Sequence, residues 1–519
     1  RCLSDWSSDV CSSDLCRRFS GRAYFDFTSL FWAYYDGLGL TAAEFNRSLG
    51  GHQPELPVDE PNPMKGKDAR RRSRTRARLL RVLLKLDKTL PREIRAHHEA
   101  ARRSRGTDLS RETLEGLRLR MLDLIAETEH FGPRSMLANT SAGVWHDGLE
   151  KLLAKVSPDN AHALASDLLA GSGNVVSAEH GYRLLDLAAA AARDAEARKL
   201  LAREPLEASA WKQLPACSPF RAELERFLAD FGHRAVYEVE IANPRWVEDP
   251  RYILQQVRLL LESGVTEDFR EAARQKRHEA ERAVARRAPL LLPLVRWLAR
   301  QARRGGALRE GAKSALVALL EQCRYVVLEI GRRMHAAGVL DAHDDVFYLT
   351  AVELDAFTRG LWDGRGAKAL VRDRKAQQEA WLSETPPDVI VEGGAPVAGG
   401  DALAAAAGKG EQHGRTLKGT GVAAGRATGR ARILHHPSES DRLAKGEILV
   451  APSTDPGWTP LFMRAAAIAV EVGGYHSHGA IVARELGIPA VANVPGLLAA
   501  LRDGETITVD GDTGTILRH

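Results

Sequence analysis

The sequence of 519 residues contains few cysteines, no long apolar run and little net charge. Its five cysteines are scattered, which argues against a disulfide framework and indicates a reducing, cytoplasmic compartment. No apolar segment reaches the length needed to cross a bilayer, so we expect no membrane association. A net charge of +5 is small for this length and argues against a nucleic-acid-binding protein. The length itself predicts about three domains.

Most of the region 16–383 has the apolar spacing of amphipathic helices, so we predict a mostly α-helical middle domain. A glycine, Gly338, follows the clearest helical stripe and is typical of a helix end. Two stripes carry the prediction: Leu316, Leu319, Leu320, Cys323, Val327, Ile330 and Met334, and Leu114, Leu117, Met121, Leu122, Leu124 and Ile125.

One segment of this region, 227–254, breaks the helical pattern. Its alternating residues 237–241 predict a short strand, and a proline follows. Binding residues tend to lie in such loops. The candidate substrate-binding residues are therefore the loop's imidazole and charged side chains, although they equally fit an ion-paired connector: His233, Arg234, Glu238 and Arg245.

The region after 383 differs in composition from the helical region. Residues 384–412 are rich in Pro, Gly and Ala and lack apolar periodicity, so we predict a flexible linker. Residues 413–519 alternate apolar strands with helices, and 504–518 has the pattern of a closing hairpin. We therefore predict a C-terminal α/β domain with a β/β/α arrangement.

The most informative motif, GGYHSH, ends at His478 in this α/β domain. Gly473 and Gly474 allow a sharp turn, Ser477 fits a helix N-cap, and Gly487 fits the end of the same helix. His478 would then lie in the first helical turn, where free backbone N–H groups and the helix dipole favour an anion and disfavour imidazolium. A neutral imidazole beside an anion pocket is suited to accept a phosphoryl group.

Two other interpretations of His478 remain open. His476 and His478 form a His-x-His pair that could bind a metal, but no Cys, Asp or Glu cluster at ligand spacing accompanies the pair, so we predict no metal. The histidine could also be a structural residue satisfied by hydrogen bonds.

The segment 473–490 resembles the swivelling phosphohistidine domain of PEP-utilising enzymes, a family that includes phosphoenolpyruvate synthase and rifampin phosphotransferase. The resemblance implies that His478 is the phosphorylated residue and that Thr454 and Asp455, in STDPGWTPLF, support it. Ser477, Gly473, Gly474 and Arg484 complete the implied catalytic set. Segments of the helical region resemble the rifampin phosphotransferase branch.

This resemblance also implies partners. In the family, an ATP-grasp domain uses ATP and magnesium to phosphorylate the histidine, and the mobile domain delivers the phosphoryl group to a small-molecule acceptor, with AMP and phosphate released. We find no ATP-grasp pattern in this sequence, so we expect the chain to bind no cofactor itself and to depend on such a domain in cis or in trans. The alternative is a non-catalytic phosphocarrier or binding subunit that works with a separate ATP-grasp partner.

The first fifteen residues have an unusual sequence that is rich in Ser and Asp. Residues 5–15 match one reading frame of a common sequencing-library adapter. We therefore expect 1–15 to be an artefact and the natural chain to begin further upstream.

Overall fold

The computed structural model describes residues 16–19, 22–25, 69–171, 176–264, 269–383, 415–475 and 477–519. The predictions for 1–15, for the linker 384–412 and for His476 lie outside the described residues. Two short strands, β1 (Cys16–Phe19) and β2 (Arg22–Phe25), pair antiparallel. Within the described residues, no helix is both long enough and apolar enough to span a membrane.

Helices dominate the described residues between 69 and 383, as predicted. Two long helices, one containing Ala142 and the other Gly305, run antiparallel through the centre of this region. They pack closely, because a Cβ atom added to Gly305 would lie 3.0 Å from the Ala142 backbone. The helices are α1 (Ala69–Ser104), α2 (Leu114–Val156), α3 (Ala161–Leu169), α4 (Val176–Ala192), α5 (Ala195–Leu201), α6 (Pro219–Phe231), α7 (Arg251–Ser263), α8 (Phe269–Arg287), α9 (Leu292–Ala336), α10 (Ala351–Thr358) and α11 (Ala367–Ser383).

The predicted helical stripes hold with one exception. Helix α9 buries Leu319, Leu320 and Met334, and Gly338 follows with a left-handed φ of 72°. In α2, Leu117 and Met121 are buried, but Leu122 is 40% exposed, so its inclusion in the core stripe was wrong. The helical period rotates Leu122 by about 100° from Met121, away from the buried face.

The predicted strand over 237–241 was also wrong. This segment forms consecutive turns, and Tyr237 has a φ of 51°. Side chains, and not a neighbouring strand, form hydrogen bonds with its backbone carbonyls. Asn243 Nδ2 donates to the Val236 carbonyl at 3.0 Å, and Arg245 donates to the Glu238 carbonyl at 2.6 Å. Alternating polarity here reflects buried polar partners and not a sheet.

The C-terminal region is a mixed sheet of eight strands with helices, in agreement with the predicted α/β class. Its order is β3-β10-β9-β5-β6-β7-β8-β4, with β5 to β8 parallel and the other pairs antiparallel. The strands are β3 (Thr416–Lys418), β4 (Thr420–Ala423), β5 (Arg426–Ile433), β6 (Ile448–Ala451), β7 (Ala467–Val470), β8 (Ala490–Ala492), β9 (Thr506–Asp510) and β10 (Thr515–Arg518); the helices are α12 (Thr459–Phe462), α13 (His478–Leu486) and α14 (Leu497–Ala500).

A single hydrophobic cluster joins the helical region to this sheet domain. It contains Phe227 and Trp246 from the helical side together with Phe462 and Leu486 from α12 and α13. Apolar burial of this kind is the main favourable contribution to packing. The N-terminus of α13 is therefore covered by the helical region and is not open to solvent.

Candidate active site

Helix α13 begins and ends as the sequence predicts. Ser477 has an extended backbone and its Oγ accepts a hydrogen bond from the Ala480 N–H at 3.4 Å, while Gly487 ends the helix in the left-handed conformation with a φ of 69°. His478 is the first helical residue and is 5% exposed. Its side chain thus lies at the positive end of the helix, shielded from water.

Both ring nitrogens of His478 have partners. Nδ1 lies 3.2 Å from Oε2 of Glu310 on α9, and Nε2 lies 3.2 Å from Oγ1 of Thr459 at the start of α12. Burial lowers the pKa of His478, although Glu310 partly opposes this. The imidazole is therefore neutral, and a carboxylate at Nδ1 favours the tautomer with the proton on Nδ1 and the lone pair on Nε2.

Glu310 is ionised despite being 1% exposed. Burial by itself would raise its pKa, but the hydrogen bond with His478 and the charges of Arg309 and Lys313 hold the pKa well below its ordinary value. Arg309 also forms an ion pair with Glu310. The carboxylate is thus available to accept the Nδ1 proton of His478.

Two cationic side chains lie within electrostatic range of the imidazole. Lys313, one turn after Glu310 on α9, lies 3.2 Å from Oε1 of Glu238, and the charges of Lys313 and Arg234 both act to lower the pKa of His478. Arg234 is 1% exposed. Buried positive charge at a helix N-terminus favours an anion, so the site is suited to a phosphoryl group.

The structure brings two of the four candidate substrate-binding residues into this environment. Arg234 and Glu238 interact electrostatically with His478. His233 instead contacts Ser314, at 2.8 Å between Nε2 and Oγ, and Arg245 donates to the Glu238 carbonyl. The last two residues therefore hold the loop.

The two residues predicted to support His478, Thr454 and Asp455, make different contacts in the structure. A Cβ atom on Gly479 would overlap Oγ1 of Thr454, so Thr454 packs directly against the first turn of α13. Asp455 accepts hydrogen bonds from the Tyr237 and Gly457 N–H groups, both at 2.9 Å. Its carboxylate therefore joins the sheet domain to the loop 227–254.

The remaining predicted residues shape the loop before α13. The Gly474 carbonyl accepts the Ser477 N–H at 2.9 Å, and a Cβ atom on Gly473 would lie 3.4 Å from Oγ of Ser477. Arg484 donates to the carbonyls of Val422 and Tyr475, at 2.9 and 2.8 Å. It therefore fixes the loop, and its guanidinium is not directed at the His478 ring.

Sequence reasoning missed the residues that contact the imidazole. Glu310, Arg309 and Lys313 lie in a helix that the sequence analysis identified only by its apolar face. Thr459 lies in a segment from which only Thr454 and Asp455 were predicted to support His478. The sequence signal that could have identified Glu310 is a glutamate with a cationic residue directly before it and another one turn after it in a predicted helix. In the described part of the chain, no group of three or more His, Cys, Asp or Glu side chains is placed to hold a metal ion.

Comparison with known proteins identifies two regions of the chain. Residues 443–514 match the family described as "PEP-utilising enzyme, mobile domain", and residues 132–310 match "Rifampicin phosphotransferase fourth domain". The chain carries a PEP-utilising enzyme mobile domain. This finding confirms the resemblance inferred from the sequence and places His478 inside the mobile domain.

Relatives of this chain are named for phosphotransfer or for another transfer reaction, or carry no functional name. A rifampicin phosphotransferase of Streptomyces sviceus is 31% identical over 402 residues, which is 75% of this chain and 44% of the relative. The prodigiosin synthesizing transferase PigC of Serratia marcescens is 31% identical over 310 residues, 57% of this chain and 34% of the relative. An uncharacterized protein of Mycobacterium tuberculosis is 35% identical over 348 residues, 67% of this chain and 37% of the relative. The chain thus spans less than half the length of these relatives.

A solved structure, aconitase X of Thermococcus kodakaraensis, matches 20% of this chain and 99% of its own length. Its TM-score is 0.18 and its sequence identity 24%, values too low to support an argument.

Proposed function

We propose that the chain is a phosphotransferase in which Nε2 of His478 carries a phosphoryl group from a donor to an acceptor. The neutral, buried imidazole at the N-terminus of α13, with Nδ1 held by Glu310, supports this proposal. In the first step, the Nε2 lone pair forms the N–P bond while the P–O bond of the donor breaks. The Thr459 hydroxyl, which donates to Nε2 in the tautomer that Glu310 favours, can then donate to a phosphoryl oxygen.

The surroundings of His478 are suited to the phosphorylated state. Phosphorylation adds negative charge to a buried site, which costs free energy unless cations or N–H groups compensate it. The N-terminal N–H groups of α13 and the charges of Arg234 and Lys313 provide that compensation. They would stabilise one phosphoryl group and not a whole nucleotide.

The acceptor in this proposal is a small molecule with a hydroxyl group. Arg234 and Glu238 come from the helical region and lie within electrostatic range of His478, which favours an acceptor site built into this chain over a bare phosphocarrier. The names of the relatives include rifampicin phosphotransferases, so rifampicin is the first acceptor to test. His233 and Arg245 would hold the loop that presents the acceptor.

The donor in this proposal is ATP with magnesium, bound by an ATP-grasp domain in the natural chain or in a separate protein. Two chemical steps that each need a dry, preorganised site cannot share one pocket, so the mobile domain must move between them. We propose that residues 413–519 move on the linker 384–412 relative to the helical region 16–383.

The test is phosphorylation of the chain with ATP, magnesium and an ATP-grasp domain taken from a family member. We expect an acid-labile, alkali-stable phosphate, the signature of a phosphoramidate, mapped to His478 by mass spectrometry. His478→Ala should abolish the label, whereas His476→Ala, the matched control in the same motif, should retain it. A label that persists in the His478→Ala chain would refute the proposal.

A further inference from the structure

A second histidine, His180 on α4, is buried beside the active site without a hydrogen-bond partner. It is 0% exposed, and within the described residues neither of its ring nitrogens has a partner. Its ring stacks on Trp246 with 4.8 Å between centroids, and Phe227 and Phe231 flank it at 5.5 and 5.7 Å. A buried polar group without a partner destabilises the fold, and this aromatic cage would suit an apolar side chain better. A role in ligand chemistry explains why an imidazole occupies it.

The position of α4 places His180 next to the reacting groups. The neighbouring residue, Gly181, packs so tightly on Thr459 that a Cβ atom there would lie 3.2 Å from Thr459 Cγ2. Thr459 is the residue that contacts Nε2 of His478. Because Gly181 touches Thr459, helix α4 packs against the side of His478 on which a phosphoryl group at Nε2 would lie, and His478 is among the groups that interact electrostatically with His180.

We propose that His180 is a catalytic base that receives the proton of the acceptor hydroxyl when this hydroxyl attacks phosphorylated His478, an inference that rests on the function proposed above. The acceptor O–P bond forms as the Nε2–P bond breaks, and the bonding electron pair returns to Nε2 of His478. The hydroxyl proton passes to a ring nitrogen of His180, which later releases it to water. No oxidant or further reactant is needed.

The electrostatics of the site support this assignment. Burial, followed by the charge of Arg234 on the loop 227–254, lowers the pKa of His180 well below its ordinary value, and His478 on α13 adds to this only when its own ring is protonated. The His180 imidazole is therefore neutral and can accept a proton. A negatively charged phosphoryl group on His478 would oppose these effects and raise the pKa of His180. The base is thus strengthened when the donor is in place, as general base catalysis requires.

The experiment separates this step from phosphorylation of His478. The full chain is phosphorylated chemically with phosphoramidate, and loss of the phosphoryl group to water and to added glycerol is followed by phosphorus NMR and mass spectrometry. His180→Phe keeps the stacked ring and removes the base, so we expect a folded protein that accepts the label and loses it about 100-fold more slowly than the wild type. His180→Gln, which can orient a hydroxyl but cannot take its proton, should be equally slow.

A pH profile and a matched control distinguish the base from a structural residue. Because the pKa of His180 is held below its ordinary value, the wild-type rate of transfer to glycerol should be constant above neutral pH and should fall at acid pH as His180 gains a proton; this fall should be absent in both His180 variants. His97→Phe is the control, because His97 also lies edge-on to an aromatic ring, Phe131, and forms an ion pair with Glu127, and neither of these partners belongs to the site. It should match the wild type.

The two proposals can fail separately. A wild-type chain that never carries phosphate on His478 would overturn the proposed function, and the role of His180 with it. A labelled wild type that transfers its phosphoryl group no faster than the His180→Phe chain would overturn the role of His180 alone.

Discussion

At the residue scale, the chemistry depends on which ring nitrogen of His478 carries a proton. The Glu310 carboxylate accepts a hydrogen bond from the Nδ1–H group and so leaves the lone pair on Nε2, the nitrogen that attacks. A neutral amide at this position could instead donate to Nδ1 and favour the opposite tautomer. In triad enzymes, the same loss of tautomer control greatly reduces the rate.

We therefore expect Glu310→Gln to slow phosphorylation of His478 on the order of 100-fold without unfolding the protein. The measurement is the initial rate of labelling with ATP and an ATP-grasp domain. Glu329→Gln is the control, since Glu329 lies on the same helix and is also buried. It forms ion pairs with Arg332 and Arg333, which lie on α9 about six turns beyond Glu310. Equal rates for the two variants would contradict the role assigned to Glu310.

The sequence predicts some of these residues and not others for a physical reason. Ser477, His478 and Gly487 belong to one helix, and its capping signals are local, so they can be read from neighbouring residues. Glu310 lies 168 positions from His478 in the chain, and this contact exists only after the two regions pack together. No local spacing encodes that contact.

At the element scale, α13 is positioned by a close contact in its first turn. Gly479 faces Thr454, and a side chain there would overlap the Thr454 hydroxyl. The glycine therefore allows the helix N-terminus to approach the end of β6. No local pattern in the sequence shows that this glycine faces Thr454.

Gly479→Ala should consequently displace the start of α13 and reduce His478 phosphorylation by roughly 10-fold to 100-fold, because small misplacements of a nucleophile are costly. The matched control is Gly306→Ala in α9, where a Cβ atom would meet nothing within 4 Å. That control should keep its labelling rate and gain about 0.5–1 kcal/mol in unfolding free energy. Unchanged labelling in Gly479→Ala would show that the first turn tolerates the displacement.

The type of secondary structure was predictable where an apolar pattern extended over many residues. It was not predictable where side-chain hydrogen bonds determine the backbone conformation. The stripe of α9 covers many turns and was confirmed, and so were the apolar strands of the sheet domain. Residues 237–241 alternate in polarity, yet bonds from Arg245 and Asn243 fold them into turns. A pattern of five residues is too short to distinguish a strand from a loop whose backbone is hydrogen-bonded to side chains.

At the scale of the whole molecule, side chains of the helical region hold the mobile domain through its backbone. Lys276 Nζ donates to the Gly487 carbonyl at 2.8 Å, and the Tyr182 hydroxyl donates to the Glu485 carbonyl at 3.2 Å. Both carbonyls lie at the C-terminal end of α13, where a cation or a donor is favourable. The sequence predicted the two regions but not this contact, because each donor is distant in sequence from its acceptor.

Buried histidines make the stability of this arrangement depend on pH. Burial lowers the pKa of His98 to about 4 and, with nearby charges, lowers those of His180, His233 and His478. Between these values and the ordinary 6.5, the unfolded chain binds protons that the folded chain does not, so the unfolding free energy falls as pH decreases below 6.5. Asp167 acts in the opposite sense, since burial raises its pKa to about 6.

The contribution of His98 can be isolated by His98→Phe, which keeps a ring against His233, where the two imidazoles meet edge to face at 4.8 Å. From pH 6.5 down to about 4, the wild type should lose unfolding free energy more steeply than the variant, by up to about 1.4 kcal/mol per pH unit. The measurement is urea unfolding at a series of pH values, in which Asp167 affects both proteins equally and cancels. His130→Phe serves as the control, because His130 is exposed on α2, and its slope should follow the wild type. Parallel slopes for His98→Phe and the wild type would mean that His98 is protonated equally in the folded and unfolded chains, and the acid sensitivity would then have to come from the histidines around His478.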